Sequence, residues 1–154
     1  MRDFPSTFPR SRMEFSNTAK ARGIKNTCPD DLLPGLIDLA WTLDSIEKAL
    51  KVRYGEKAKL DINCAYRCEQ LNAAVGGSPT SAHKKGRAAD ITCNACSPYD
   101  LAVFIFKMGI NHDQIIQEFG RWVHVGMAEH PRKQALTARK INGKTVYLQG
   151  LMPV

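Results

Sequence analysis

Three short segments carry the residues whose types and spacing suit chemistry. The first is Ser81-Ala82-His83-Lys84-Lys85-Gly86-Arg87-Ala88-Ala89-Asp90-Ile91. His83 falls in a polar stretch containing a glycine, and Asp90 falls between Ala89 and Ile91 in an apolar strand. A carboxylate placed among apolar neighbours requires a cation or several hydrogen-bond donors, and a metal ion meets that requirement. The second is Gln117-Glu118-Phe119-Gly120-Arg121-Trp122-Val123-His124-Val125-Gly126, in which His124 sits on the polar beat of an alternating Trp-Val-His-Val run. In the third, Ala65 to Ser78, Arg67 lies between a strand and a helix, where its guanidinium can fork onto a carboxylate or an oxyanion. Each residue also has a plain structural reading. His124 suits a hydrogen-bonded strand histidine, Glu118 an exposed strand-end acid and Arg67 a surface ion pair.

Taken together, two histidines and one aspartate make a three-ligand set. Such a set leaves a fourth position open for water, the pattern of a catalytic rather than a closed structural zinc site. Zinc brings the pKa of that water to about 7. A nearby carboxylate then takes the proton as the water attacks a carbonyl, and an arginine steadies the developing charge or the substrate's own carboxylate.

These residues must be carried by a small set of elements. Leu32, Leu36, Leu39, Leu43, Ile46 and Leu50 recur at helical spacing, widened by Ile37 and Ala40, and predict a core helix from about 32 to 51. Asp30 and Asp31 precede it, and Pro34 falls in its first turn. Lys59 to Ala65 alternates as a strand. Cys68 to Val75 reads as a short helix stopped by Gly76-Gly77, and Ala88 to Cys93 as a second strand. Ser97-Pro98 opens a helix that runs to Gly109. Asp113 to Phe119 and Arg121 to Met127 are strand candidates parted by Gly120, and Asn142-Gly143 marks a late hairpin. This order predicts an α+β fold: one small domain with a mainly antiparallel sheet flanked by helices. The domain is expected over 26–154. Residues 1–25, broken by Pro5, Pro9 and Gly23, are expected as an irregular N-terminal extension lying across the domain or partly mobile.

With 154 residues, 44% of them hydrophobic, the chain is long and apolar enough for one real core. No apolar run approaches the roughly 18–20 residues that span a bilayer. The N-terminal charges have no apolar stretch behind them, so the chain is expected to lack a secretory signal and to stay in the cytoplasm until something releases it. A formal charge of +7 attracts polyanions without choosing among them, or serves solubility alone. No interleaving of aromatic and basic residues points to nucleic acid. Five cysteines (28, 64, 68, 93 and 96) are an odd count, which argues against a disulfide framework. Cys64-x3-Cys68 with Cys93-x2-Cys96 loosely imitates a structural zinc site, against the plainer reading of small buried thiols.

The run YRCEQLNAAVGGSPTSAHKKGRAADI, followed by DQIIQEFGRWVHVG, resembles the zinc D-Ala-D-Ala carboxypeptidase family. That family also contains the vancomycin-resistance D,D-dipeptidases and many phage endolysins. Its pattern S-x-H-x-x-G-x-A-x-D, then W-x-H, is met by Ser81, His83, Gly86, Ala88 and Asp90, then Trp122 and His124. AKARGIKNTCP and the long helix after it resemble the short, phage-type branch. The resemblance spans about Thr18 to Gly126. It implies one catalytic zinc ion held by His83, Asp90 and His124, with Arg67 and Ser81 contacting the substrate. It further implies hydrolysis of peptidoglycan stem peptides or cross-links by a monomeric endolysin or a virion-associated peptidase. Many relatives place the acid/base carboxylate three residues before the last histidine, where this chain has Arg121. The E-F-G-R-W pattern of the short branch points instead to Glu118, with His112, Asp113 and Glu129 as rivals. The missing acid at 121 leaves open a second class, a non-catalytic zinc-binding module on the same scaffold.

Overall fold

The computed structural model describes residues 2–154. The long helix α3, Leu33–Tyr54, buries Leu36, Leu39, Leu43, Ile46 and Leu50 completely. The expected stripe is therefore the face that meets the core. Burial of five such side chains contributes roughly 1.5–3 kcal/mol each before conformational entropy is subtracted. Pro34 occupies the first turn, and the Gly55 N–H closes the helix on the Lys51 carbonyl. Two acids on the same helix are buried as well. Glu47 accepts the backbone N–H of Leu60 at 2.9 Å, which ties the helix to strand β1, Leu60–Cys64. Asp44 accepts the Thr7 hydroxyl and pairs with Lys48.

The N-terminal residues differ from the irregular segment expected. They form two short helices, α1 (Arg10–Glu14) and α2 (Asn17–Arg22), the second capped by the Ser16 hydroxyl and ended by left-handed Gly23. Phe8 and Met13 are fully buried in the same core as α3. Helices of five and six residues are too short to print a periodic stripe on the sequence. Asn26 then knits this region to the turn that holds Arg67. Its amide donates to the Glu14 and Tyr66 carbonyls and accepts the Cys68 N–H.

The remaining elements are α4 (Glu69–Ala74), a 3-10 turn (Ala82–Lys85), β2 (Ala88–Cys93), α5 (Pro98–Met108), β3 (Gln114–Glu118), β4 (Trp122–Gly126), β5 (Gln134–Ile141) and β6 (Lys144–Gln149). The six strands form one sheet in the order β1-β2-β4-β3-β5-β6. All neighbours are antiparallel except β3 and β5, so the fold is the small, mainly antiparallel α+β domain expected. No helix is long and apolar enough to cross a membrane among the described residues.

Register divides the sheet into two chemically different faces, because directly paired residues point to the same side. On one face Ala89, Ile91, Ile115, Val123 and Val125 pack against α3 and α5. On the other, Asp90 pairs with His124 and His124 with Ile116. Trp122 pairs with Glu118 in the adjoining row. Asn142-Gly143 turns β5 into β6, both residues with positive φ, as the hairpin motif predicts.

The parallel step requires the chain to pass beneath the start of β3, and Asp113 pins that passage. Its carboxylate accepts the Arg132 backbone N–H at 2.8 Å and the guanidinium at 2.7 Å and 3.0 Å. These bonds hold the carboxyl below the usual carboxylate range despite its partial burial. Because the native pKa is depressed, the stabilisation is present above the unfolded carboxylate value of about 3.9 and is lost as pH falls through the native one. Asp113→Asn is expected to cost about 1–2 kcal/mol at neutral pH, discounted because Arg132 is more than half exposed. Urea melts of both proteins from pH 7 down to pH 2 check this. The gap should close at the acid end, and a constant gap would refute the ionic origin.

Candidate metal centre

His83 reaches the polar face of the sheet from the 3-10 turn between α4 and β2. The Ser81 hydroxyl caps that turn by accepting the His83 N–H, and left-handed Gly86 closes it. The histidine expected in a polar loop is in fact only 2% exposed. Its Nδ1 lies 2.7 Å from the Ala65 carbonyl. A carbonyl can only accept, so Nδ1 donates to it and Nε2 is the nitrogen turned toward the cleft. Nε2 lies 3.3 Å from Asp90 Oδ1, a contact that a shared proton or a shared metal ion would satisfy. The hydrogen bond behind the ring is the support that metal-ligating histidines ordinarily have.

His124 completes the group. Its pairing with Asp90 across β2 and β4 sets His124 Nδ1 3.0 Å from Asp90 Oδ1. One donor atom from each of His83, Asp90 and His124 lies within 4.8 Å of the others. Two imidazoles, which are borderline donors, together with one harder carboxylate make a set that suits zinc. Burial pushes the Asp90 pKa up. Hydrogen bonds and charge from His124 and His83 outweigh it and hold the group ionised, well below the usual carboxylate range.

Glu118 stands at the open side of this group, with Oε1 3.8 Å from His124 Nδ1. Gly120, which parts the two strand candidates in the sequence, lies in a tight turn between them. Phe119 and Gly120 are both left-handed, so β3 folds back onto β4. Glu118 then lies diagonally across from His124 on the same face. Burial and the neighbouring Asp90 charge raise its pKa, opposed by the two histidines. Its rivals lie elsewhere. Asp113 is engaged by Arg132, His112 bonds the Ile110 carbonyl, and Glu129 is exposed in the loop after β4.

These groups line one cleft of about 840 Å³. Arg67 and Ser81 stand on one side, joined by a hydrogen bond of 3.1 Å from Nη2 to the hydroxyl, while Arg67 Nε is buried without a partner. The opposite wall comes from the β5–β6 hairpin, through Leu136, Lys140, Thr145 and Tyr147. The six residues singled out in the sequence, His83, Asp90, His124, Glu118, Arg67 and Ser81, thus all face the same space.

The family model for peptidase M15 matches residues 6–126. The chain belongs to the peptidase M15 family. This is the zinc D-Ala-D-Ala carboxypeptidase family that the Ser81–Asp90 and Trp122–His124 segments resemble, and its members are zinc metallopeptidases. No curated protein matches the chain. In this M15 peptidase the cysteines form no metal cluster among the described residues. All five are free thiols, with Cys68 capping α4 and Cys64 beside Asp90 in the sheet register.

Two features of the site had no clear signal in the sequence. The hairpin wall shows in the sequence only through its Asn142-Gly143 turn, with no indication of which face it offers. Gly126 lies inside the strand expected over Arg121 to Met127 and carries no signal of its own. A Cβ there would stand 3.2 Å from His124 Nε2, so glycine leaves the imidazole room to turn Nδ1 toward Asp90. Gly126→Ala is expected to keep the fold and weaken zinc binding about tenfold, the size of effect seen when a ligand's support is disturbed. A competition titration with a chromogenic chelator, beside a thermal melt, measures both. Unchanged affinity would show that the ring tolerates the methyl group.

Proposed function

We propose that this M15 peptidase hydrolyses peptide bonds in the stem peptides or cross-links of bacterial peptidoglycan. In this reading His83, Asp90 and His124 hold a single zinc ion, Glu118 is the general base, and Arg67 and Ser81 hold the substrate. The observation that carries it is the convergence of three donor atoms within 4.8 Å, with the half-buried Glu118 carboxylate beside them and an arginine on the cleft wall. Zinc, when bound, supplies a Lewis acid that polarises the scissile carbonyl and makes a water acidic enough to attack near neutral pH.

The chain's own residues do the rest. Glu118, raised toward the operating pH by burial and Asp90, accepts the proton of the attacking water at a carboxylate oxygen and returns it to the departing amine. Arg67 offers a planar fork, oriented by Ser81, to a substrate carbonyl or terminal carboxylate. The Ala65 carbonyl accepts from His83 Nδ1 and so leaves Nε2 as the nitrogen presented to a metal. The peptidoglycan substrate and an endolysin-type role draw their support from the resemblance of the Ser81–Asp90 and Trp122–His124 segments. The net charge of +7 favours an anionic wall.

The purified protein is expected to carry one zinc per chain and to release new peptide ends from isolated peptidoglycan, identified by mass spectrometry. His83→Ala should lose the metal and the activity together. Glu118→Gln should keep the metal and lose on the order of 10²–10⁴ in turnover. Zinc without cleavage in the native protein would favour a binding module on this scaffold, and a folded, metal-replete sample without zinc would refute the centre itself.

A further inference from the structure

The far wall of the cleft is built by residues beyond the span of the family match, which ends at residue 126. Strand β5 continues the cleft face of the sheet past Glu118, first with the apolar Leu136 and Ala138 and then with Lys140. In the register Glu118–Ala138–Tyr147, the small, fully buried Ala138 lets the cleft extend over β5 toward β6.

At this end the surface changes sign. Lys140 lines the cleft, with its amine 2.8 Å from the Thr145 hydroxyl and 5.6 Å from the Phe119 ring centre. Arg139, its neighbour on β5, points to the other side of the sheet, where it donates to the Pro153 carbonyl, so Lys140 is the cation that this strand turns toward the cleft. Lys140 has no carboxylate within ion-pair distance among the described residues. An unpaired cation on the cleft wall favours an anion there.

The turn beneath Lys140 carries a steric cost. Phe119 holds φ at +60° beside Gly120 at +70°, a pair of positions that Asn-Gly fills more easily. In return its ring stacks edge-on against Trp122 and lies under the Lys140 amine. Strain retained on the wall of the cleft marks a position held for what it presents there.

We propose that Lys140 is a specificity subsite that takes a carboxylate of the substrate peptide on the side of the reacting bond away from Arg67. The proposal rests on the reading of the cleft as a peptidase site. A peptide bound across the centre would then be held by an anionic group at each end, Arg67 gripping one and Lys140 the other. Such clamping selects peptides with an acidic residue at a set distance from the cut.

The test separates this idea from the activity itself. Zinc-loaded Glu118→Gln protein is titrated calorimetrically with two stem-type peptides that differ only in one side chain, a carboxylate or its amide. The acid is expected to bind about tenfold more tightly. Lys140→Met in the same background should abolish that preference and Lys140→Arg should retain it. Lys107→Met, which removes an equal charge from α5 behind the sheet, should leave it unchanged. Equal binding of the two peptides, or a preference that survives Lys140→Met, would overturn the subsite. Failure of the peptidase reading shows separately, as absence of cleavage by the native protein whatever the binding ratio.

Discussion

The polar half of this structure depends on one constraint: a carboxylate nearly closed off from water must be compensated. Asp90 lies within an otherwise apolar strand, and its side chain is only 15% exposed. Leaving such a charge unpaired costs several kcal/mol. Compensation comes from two imidazoles delivered by different routes. His124 arrives by strand register, opposite Asp90 on β4. His83 arrives from a capped 3-10 turn whose ring is locked from behind by the Ala65 carbonyl. That lock turns Nε2 toward Asp90, so that one nitrogen of each ring and one carboxylate oxygen converge on the same point.

The scaffold serves this constraint by separating its two faces. The apolar beats of β2, β3 and β4 go to α3 and α5, and the polar beats go to the cleft. Because one residue of slip would exchange the faces, the hydrophobic pattern that builds the core also aims the ligands. The N-terminal helices act on the same turn from another side. Asn26 bridges Glu14, Tyr66 and Cys68, so the backbone around Arg67 is set by residues some forty positions away as well as by its own strand. The positioning of the site is therefore a property of the whole domain.

Much of this was legible because it was written in local chemistry. The α3 stripe, the Ser97-Pro98 start of α5 and the Asn142-Gly143 turn each rest on neighbours a few residues apart, and each appears where the pattern placed it. The two short N-terminal helices were missed because their order comes from capping and from the burial of Phe8 and Met13 against distant residues. Glu118 was a candidate among four. Its distance from His124 along the chain spans a turn whose form depended on whether Phe119 would accept a left-handed backbone.

The sequence by itself determined the kind of donors, their placement on the polar beats of strands, and membership of a family with a long motif, since residue type and alternation are local properties of the chain. Only the tertiary structure decided that β5 joins β3 in parallel and carries the cleft face past Glu118. It alone decided that Arg67 and Lys140 stand on opposite sides of one cleft, and that a missing Cβ at Gly126 leaves room for the His124 ring. Those facts are distances between residues far apart in the chain. They follow from packing and strand order, which no stretch of residues specifies alone.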